Sequence, residues 1–377
     1  IEVFTGQARA LGLISKTTDL LKDLNAIVSG GTLAYYDDEA EKMVIRGTEM
    51  TPGVRVTVVH ELTHALQDQA FDLSREFDND GTDSYFHALA EGDAERIENE
   101  YIDSLSDSDE KAYFDEDDKN VDQAGDDLSA VAPALVQMFG APYALGGPLT
   151  TLIVEELGVR ELDKLFRTPP NSDEGLFNVT ATLEHQRAKK VTAPVLSPDE
   201  EENDSGEFGS ISWYLVLASF IDQRVAMTAV DGWGGDSYVG YRKKGRACIS
   251  LAFEGDTRTD TAEMAAALQQ WKAAFTENTV EVTAGPDRVE VDACEPNVVP
   301  KPRADAADAL VLPATRMQLM AVVLTQGLPR ATADCAVRHF IAEVPLEKLT
   351  SETEADQQLL FELGSRIGRG CASGQLK

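Results

Sequence analysis

Two histidines four residues apart with a glutamate between them, His60-Glu61-Leu62-Thr63-His64, hold the residue types of a hydrolytic metal centre. On a helix, positions i and i+4 share a face, so both imidazoles can converge on one ion while Glu61 stands beside the open coordination position. Catalytic zinc takes three protein ligands, commonly imidazole nitrogens plus a carboxylate, and keeps a fourth position for water. That water ionises near neutral pH, and a carboxylate within hydrogen-bond reach can take its proton and pass it to a leaving amine. His60 and His64 are thus candidate zinc ligands and Glu61 the candidate base. The chain has only five histidines, and two on one helical face are hard to assign to packing alone. The plain alternative is an amphipathic helix that happens to carry both.

The third ligand needs its own argument. A three-histidine site is excluded, because the position six beyond His64 is Ala70 and the position three beyond is Gln67 rather than glycine. Ser84 to Ile102 has helical character, with Tyr85, Leu89, Ile97 and Ile102 as apolar anchors among polar residues. Glu91 lies on this stretch, and Glu95 lies one turn further along the same face. Glu95 is placed to accept a hydrogen bond from the outer nitrogen of a liganding imidazole, while Asp93 points roughly the other way. His87 and Asp83 are rivals for the third position, and solvation is the usual fate of a helical glutamate. Gly92 costs a helix about 1 kcal/mol relative to Ala, and a close approach of two helices at the metal would account for it.

The elements that must position these residues point to an α+β fold. The β-branched run Val54 to Val59 leads into the motif, and Leu62, Ala65 and Leu66 are expected to continue the buried face of a helix. Residues 1–128 would form a catalytic lobe: a helix around Ala8 to Leu24, a small sheet from Thr32 to Tyr36 and Met43 to Arg46, the motif helix, and the helix bearing Glu91. A second, mainly helical lobe, 129–299, carries a proline-rich joint at Arg167 to Pro170 and ends in a helix near Thr261 to Phe275 set among strands. Pro300 to Arg303 reads as a linker, and 304–377 as a helical C-terminal extension.

Several segments together resemble the bacterial neutral zinc metallopeptidases of the zincin class, in the branch whose third ligand is a glutamate. They are Leu33 to Asp37, Met43 to Gly47, His60 to Gln69 and Ala88 to Ala94, followed by Ala141-Pro142-Tyr143 with Gly146, Pro169 to Glu174, and Gly232 to Asp236. The resemblance covers roughly residues 1 to 280. It implies zinc at His60, His64 and Glu91, a catalytic Glu61, and a short sheet whose edge strand lines the cleft. Tyr143, on a segment that shares in the resemblance, is the candidate to stabilise the oxyanion, because its phenol can donate a hydrogen bond. His185 is a weaker candidate in a polar run, and Trp233 is expected to pack a turn.

Composition bounds the setting. The chain of 377 residues is 43% hydrophobic, enough for two or three lobes with real cores. A net charge of −33 argues against nucleic acid and offers no basic face to an anionic membrane. Eleven acidic residues fall between Asp103 and Asp127 and another knot between Asp199 and Asp204, expected as mobile solvated loops, with calcium binding as the sharper alternative. No stretch is expected to be long and apolar enough to span a bilayer. Four cysteines, Cys248, Cys294, Cys335 and Cys371, suit an oxidising compartment, and their most local connectivity pairs 248 with 294 and 335 with 371. Four buried free thiols are the alternative. The expectation is a secreted or envelope-associated zinc peptidase acting on peptide or protein substrates. A non-catalytic envelope or binding protein that keeps the fold is the rival, and the intact Glu61 weighs against it.

Overall fold

Two short helices, α1 (Glu2–Ala10) and α2 (Leu20–Ser29), replace the single opening helix expected from Ala8 to Leu24. Between them the hydroxyls of Ser15, Thr17 and Thr18 bond one another and the Ser15 and Thr17 amides, which competes with helical bonding. This computed structural model describes residues 1–29, 33–345, 348 and 353–376. Strands β1 (Ala34–Asp37) and β2 (Lys42–Ile45) pair antiparallel as a two-stranded sheet. Thr32, expected at the start of the first strand, lies outside the described residues.

Helix α3 (Pro52–Phe71) carries the histidine motif. Thr51 caps it by accepting from the Val54 amide, Pro52 opens its first turn, and Glu116 takes the Gly53 amide. The run Val54 to Val59 is therefore already helix. Its burial differs from the expected pattern: Glu61, Thr63 and Gln67 are buried, whereas Leu62 is 50% and Leu66 66% exposed. The inward face of α3 packs on β1 and on α4 (Asp80–Asp103), and that face is polar. Burying polar groups is tolerable only where they are bonded, and these are.

The acidic stretch expected to be a mobile loop is a helix, α5 (Asp107–Leu128). Its charges are partly offset by Lys111 against Asp115 at i, i+4 and by Arg55 of α3 against Asp109 at 2.7 Å. Helix α6 (Pro133–Leu157) follows and crosses α4 at very short range. A Cβ on Gly92 would collide with the Gly146 carbonyl, and one on Gly146 with the Ala88 carbonyl. The close helix approach invoked for Gly92 thus exists, with α6 as the partner, and only glycine permits it.

Helices α7 (Val159–Arg167) and α8 (Val179–Leu183) lead to a five-stranded antiparallel sheet. Its strands are β3 (Glu201–Gly206), β4 (Trp233–Lys243), β5 (Arg246–Gly255), β6 (Val280–Ala284) and β7 (Val289–Cys294), in the order β3-β4-β5-β7-β6. The acidic knot at Asp199 to Asp204, expected as a loop, runs into strand β3. Lys244 and Gly245, both with positive φ, turn β4 into β5. Between β3 and β4 lie α9 (Ser210–Ala218) and α10 (Gln223–Val230), and α11 (Arg258–Lys272) packs across β5 and β6. The segments Pro169 to Glu174 and Gly232 to Asp236 serve this scaffold. Asp173 accepts from Ser210 and Ile211 at the start of α9, and Asp236 accepts from the Phe208 and Gly209 amides and from the indoles of Trp213 and Trp233.

The C-terminal helices are α12 (Val311–Thr325), α13 (Arg330–Glu343) and α14 (Glu354–Ala372). Helices α12 and α13 share the main core, one apolar cluster that runs from Ala8 to Ile341, and α14 packs on α13. Pro300 to Arg303 is not a free linker, since the Arg303 amide bonds Ser219 and Pro300 packs beneath Gly12. Cys248 faces Cys294 across β5 and β7 and is bonded to it, and Cys335 of α13 is bonded to Cys371 of α14. This is the local pairing expected, and two disulfides fit an oxidising, extracytoplasmic environment. Among the described residues one continuous run, Ala306–Thr325, is long and apolar enough to cross a bilayer by length and composition. The expectation of none overlooked it. Half of the run is buried against the fold, as a core helix also would be.

One buried carboxyl makes stability depend on pH. Glu174 is 5% exposed and its Oε1 has no hydrogen-bond partner. Burial first, and then the charges of Asp256, Asp231 and Asp173, push it up to about 9 against a weaker opposing pull from Arg316. The unfolded chain releases this proton from the ordinary carboxylate range upward, whereas the folded chain holds it to about 9. Stability contributed below that ordinary range is therefore lost as pH rises to 9. Glu174→Gln mimics the protonated form and is expected to melt several degrees above the parent at pH 9 and within about 1 °C of it at pH 4. Equal melting of the two at pH 9 would refute the assignment.

Candidate metal centre

Helices α3 and α4 bring three acceptor atoms together. His60 Nε2 lies 3.1 Å from His64 Nε2 and 3.2 Å from Glu91 Oε2, and His64 Nε2 lies 3.3 Å from the same oxygen. Ligands ~2.0–2.1 Å from a tetrahedral ion stand ~3.3–3.4 Å apart, so the spacing suits one divalent cation. Among the described residues this is the one group of three such side chains able to hold an ion.

The outer nitrogens fix the tautomers. Glu98 Oε2 lies 2.8 Å from His60 Nδ1, and a carboxylate accepts only, so Nδ1 carries the hydrogen. Gln67 donates its amide to the Ala90 carbonyl and to Asp93, which turns its Oε1 toward His64 Nδ1 at 2.9 Å. Both Nε2 lone pairs then face the Glu91 oxygen. Three mutually facing acceptors require a cation or a proton among them. Burial opposes protonation of His60, but hydrogen bonds to Glu91 and Glu98 outweigh it and raise the ring to about 10. Glu91 falls to about 2, because its bonds to both imidazoles overcome its burial.

Glu61 stands apart from this trio. Its Oε2 accepts the Tyr36 amide of β1 at 2.8 Å, and burial holds its carboxyl above the usual range despite the nearby imidazoles. The Tyr36 hydroxyl donates to Asp68 at 2.8 Å, which ties β1 to the end of α3. Tyr143 reaches the same place from α6, three residues before the Gly146 crossing. Tyr143 is 56% exposed, with its phenol close enough to Glu91 and Glu61 to feel both charges. Burial, Glu91 and the Glu61 charge all raise the phenol's pKa.

Other candidates lie elsewhere. His87 is more than half exposed, 3.8 Å from Asp83, so neither joins the trio. His185 is exposed in a left-handed turn. Trp233 is fully buried, bonded to Asp236. Glu95 does not take the place expected for it beside a histidine: its carboxylate packs where a Cβ on Gly147 would be. Glu98, two turns after Glu91, and Gln67, one turn after His64, hold the imidazoles instead. Asp93, expected to point away, anchors Gln67 and is itself held by Arg96. Because such partners orient ligands, Glu98→Ala is expected to weaken metal-ion affinity about 10–100-fold in a chelator competition, while Glu95→Gln stays within a few-fold of the parent. The reverse order of effects would overturn this assignment.

A family described as a domain of unknown function (DUF8575) matches residues 193–311, which include the five-stranded sheet and exclude His60, His64 and Glu91. No curated protein and no solved structure matches the chain.

Proposed function

We propose that the protein is a zinc-dependent peptide hydrolase of the zincin class, in the glutamate-ligand branch. The convergence of His60, His64 and Glu91, with Glu61 beside them, carries this reading. Two imidazoles and one carboxylate are a common catalytic zinc set, and bound zinc would acidify water and polarise a carbonyl. Glu61, held by the Tyr36 amide, takes the proton of the attacking water and delivers it to the leaving amine. Tyr143 donates a hydrogen bond to the developing oxyanion. Glu98 and Gln67 keep both Nε2 lone pairs available. The disulfides support a secreted or envelope-associated setting.

The test is metal analysis combined with a peptide-library assay. Purified protein is expected to hold about one zinc per chain, to lose cleavage on chelation and to regain it with zinc. Cleavage that ignores the chelator, or protein without stoichiometric zinc, excludes the proposal. Protein that holds zinc and cleaves nothing would be the non-catalytic binding protein.

A further inference from the structure

Away from the metal centre, α10, α11, α12 and α13 line a half-open cavity of about 410 Å3. This is within the usual size range of small-molecule sites. Its lining is bipolar. Asp231, Asp260 and Glu263 come from the end of α10 and from α11, while Arg316 and Arg338 come from α12 and α13. Met227 and Ile341 supply apolar surface between them.

The two polar sides are built differently. On the cationic side, Arg316 is 6% exposed and fixed by Asp231 at 2.5 Å, with Asp334 at 3.9 Å. Asp334 also takes Arg338 Nε at 2.9 Å. A guanidinium has five donors, so Arg338 keeps a fork for a ligand carboxylate. Arg224 completes this wall and is oriented by the Ile341 and Val344 carbonyls at the end of α13. On the acidic side, burial and then the charges of Asp260 and Asp231 push the Glu263 carboxyl up. Arg316 is spent on Asp231, and Asp260 uses Oδ2 to cap α11 through the Thr257 amide and hydroxyl. The Asp260 Oδ1 and the Glu263 carboxyl are therefore left at the cavity as like charges. An ammonium between them would relieve that repulsion.

In a chain of net charge −33, a free anion is repelled from the surface, and a bare cation gains nothing from the arginine wall. A molecule with both charges a few bonds apart satisfies the two sides together. We infer that this cavity is a binding site for a zwitterion of the α-amino acid or short-peptide class. Its carboxylate is held by Arg338, and its ammonium by Glu263 and Asp260. The assignment does not depend on the zinc-peptidase reading.

The experiment is calorimetric titration of the Glu61→Gln chain, which cannot consume a peptide probe by the proposed chemistry, in zinc-loaded and chelated forms. The probes are free leucine, Leu-Leu and tri-leucine, each also with its amine acetylated or its carboxylate amidated. One saturable site is expected in both forms, weakened at least tenfold by either blocking group. Arg338→Gln should abolish discrimination against the amide, and Glu263→Gln discrimination against the acetylated amine. Both positions are partly exposed, and the melting temperature reports whether each variant has folded. Tightest binding by free leucine assigns a single amino acid; tightest binding by a longer probe assigns a short peptide. The inference is overturned by no saturable binding below 10 mM (roughly −3 kcal/mol or weaker). It is equally overturned by binding lost on chelation, which places the probe at the metal centre, or by both variants binding as the parent does.

Discussion

Glu61→Gln protein is expected to bind zinc as the parent does and to cleave peptides about 10²–10⁴-fold more slowly, the usual contribution of a general base. The geometry makes this substitution informative. The Glu61 Oε2 accepts the Tyr36 amide, and the amide oxygen of glutamine can accept the same bond, so the side chain and strand β1 keep their places. The trio proposed to hold the metal does not include Glu61, so zinc content is expected to match that of the parent. Only the capacity to take and return a proton is lost. His64→Ala is the contrasting case, because it removes a ligand and should remove the metal with the activity. Parent-like turnover by the glutamine variant, measured on the best library substrate, would leave Glu61 without its proposed role.

The second large effect concerns the helix crossing. Gly146→Ala places a methyl group against the Ala88 backbone carbonyl, and no rotamer change can move a backbone atom aside. The helices must separate, at a cost of about 3 kcal/mol or more, the upper part of the overpacking range. Glu91 precedes Gly92 on one helix and Tyr143 precedes Gly146 on the other, so separation displaces both site residues together. Denaturant unfolding should therefore show the stability loss, and chelator competition a weaker metal site. Gly140→Ala in the same helix is the control. Its nearest foreign atom would be Leu310 Cδ1 at 3.8 Å, and the change should be neutral or stabilising by up to ~1 kcal/mol. If the two variants unfold alike, the crossing is looser than described.

These two sites also mark how far the sequence could be read. The convergence of His60 and His64 follows from helical spacing, and the placement of Glu61 beside them needs no long-range information. The partner of His60 was harder. Glu95 and Glu98 both lie on the Glu91 face, and the choice between them depends on how α4 is tilted against α3 and α6. Glycine contacts set that tilt, and their partners lie more than fifty residues away. For Gln67 the usable signal is its i+3 spacing from His64, which sets its amide one helical turn from the ring. Charge misled at Asp107 to Leu128 and at Glu201 to Gly206. Dense carboxylates suggest solvated loops, but a helix or an edge strand keeps one side in water and can carry the same charge. The cysteine pairing was legible because the most local connectivity is the one formed, between neighbouring strands for Cys248 and Cys294 and neighbouring helices for Cys335 and Cys371. The burial of Leu62 and Leu66 was misjudged because the polar face of α3 is the one that meets the protein.

The order of the five-stranded sheet has one more consequence. It leaves β3 and β6 as open edges, each with a row of backbone donors and acceptors that another strand could extend. Strand β3 carries Glu201, Glu202 and Asp204, and β6 carries Glu281. A second copy approaching the β3 edge with its own β3 would bring several carboxylates against several others across the new pair, which is unfavourable. The acidity that first looked like a property of loops therefore guards the β3 edge against edge-to-edge aggregation.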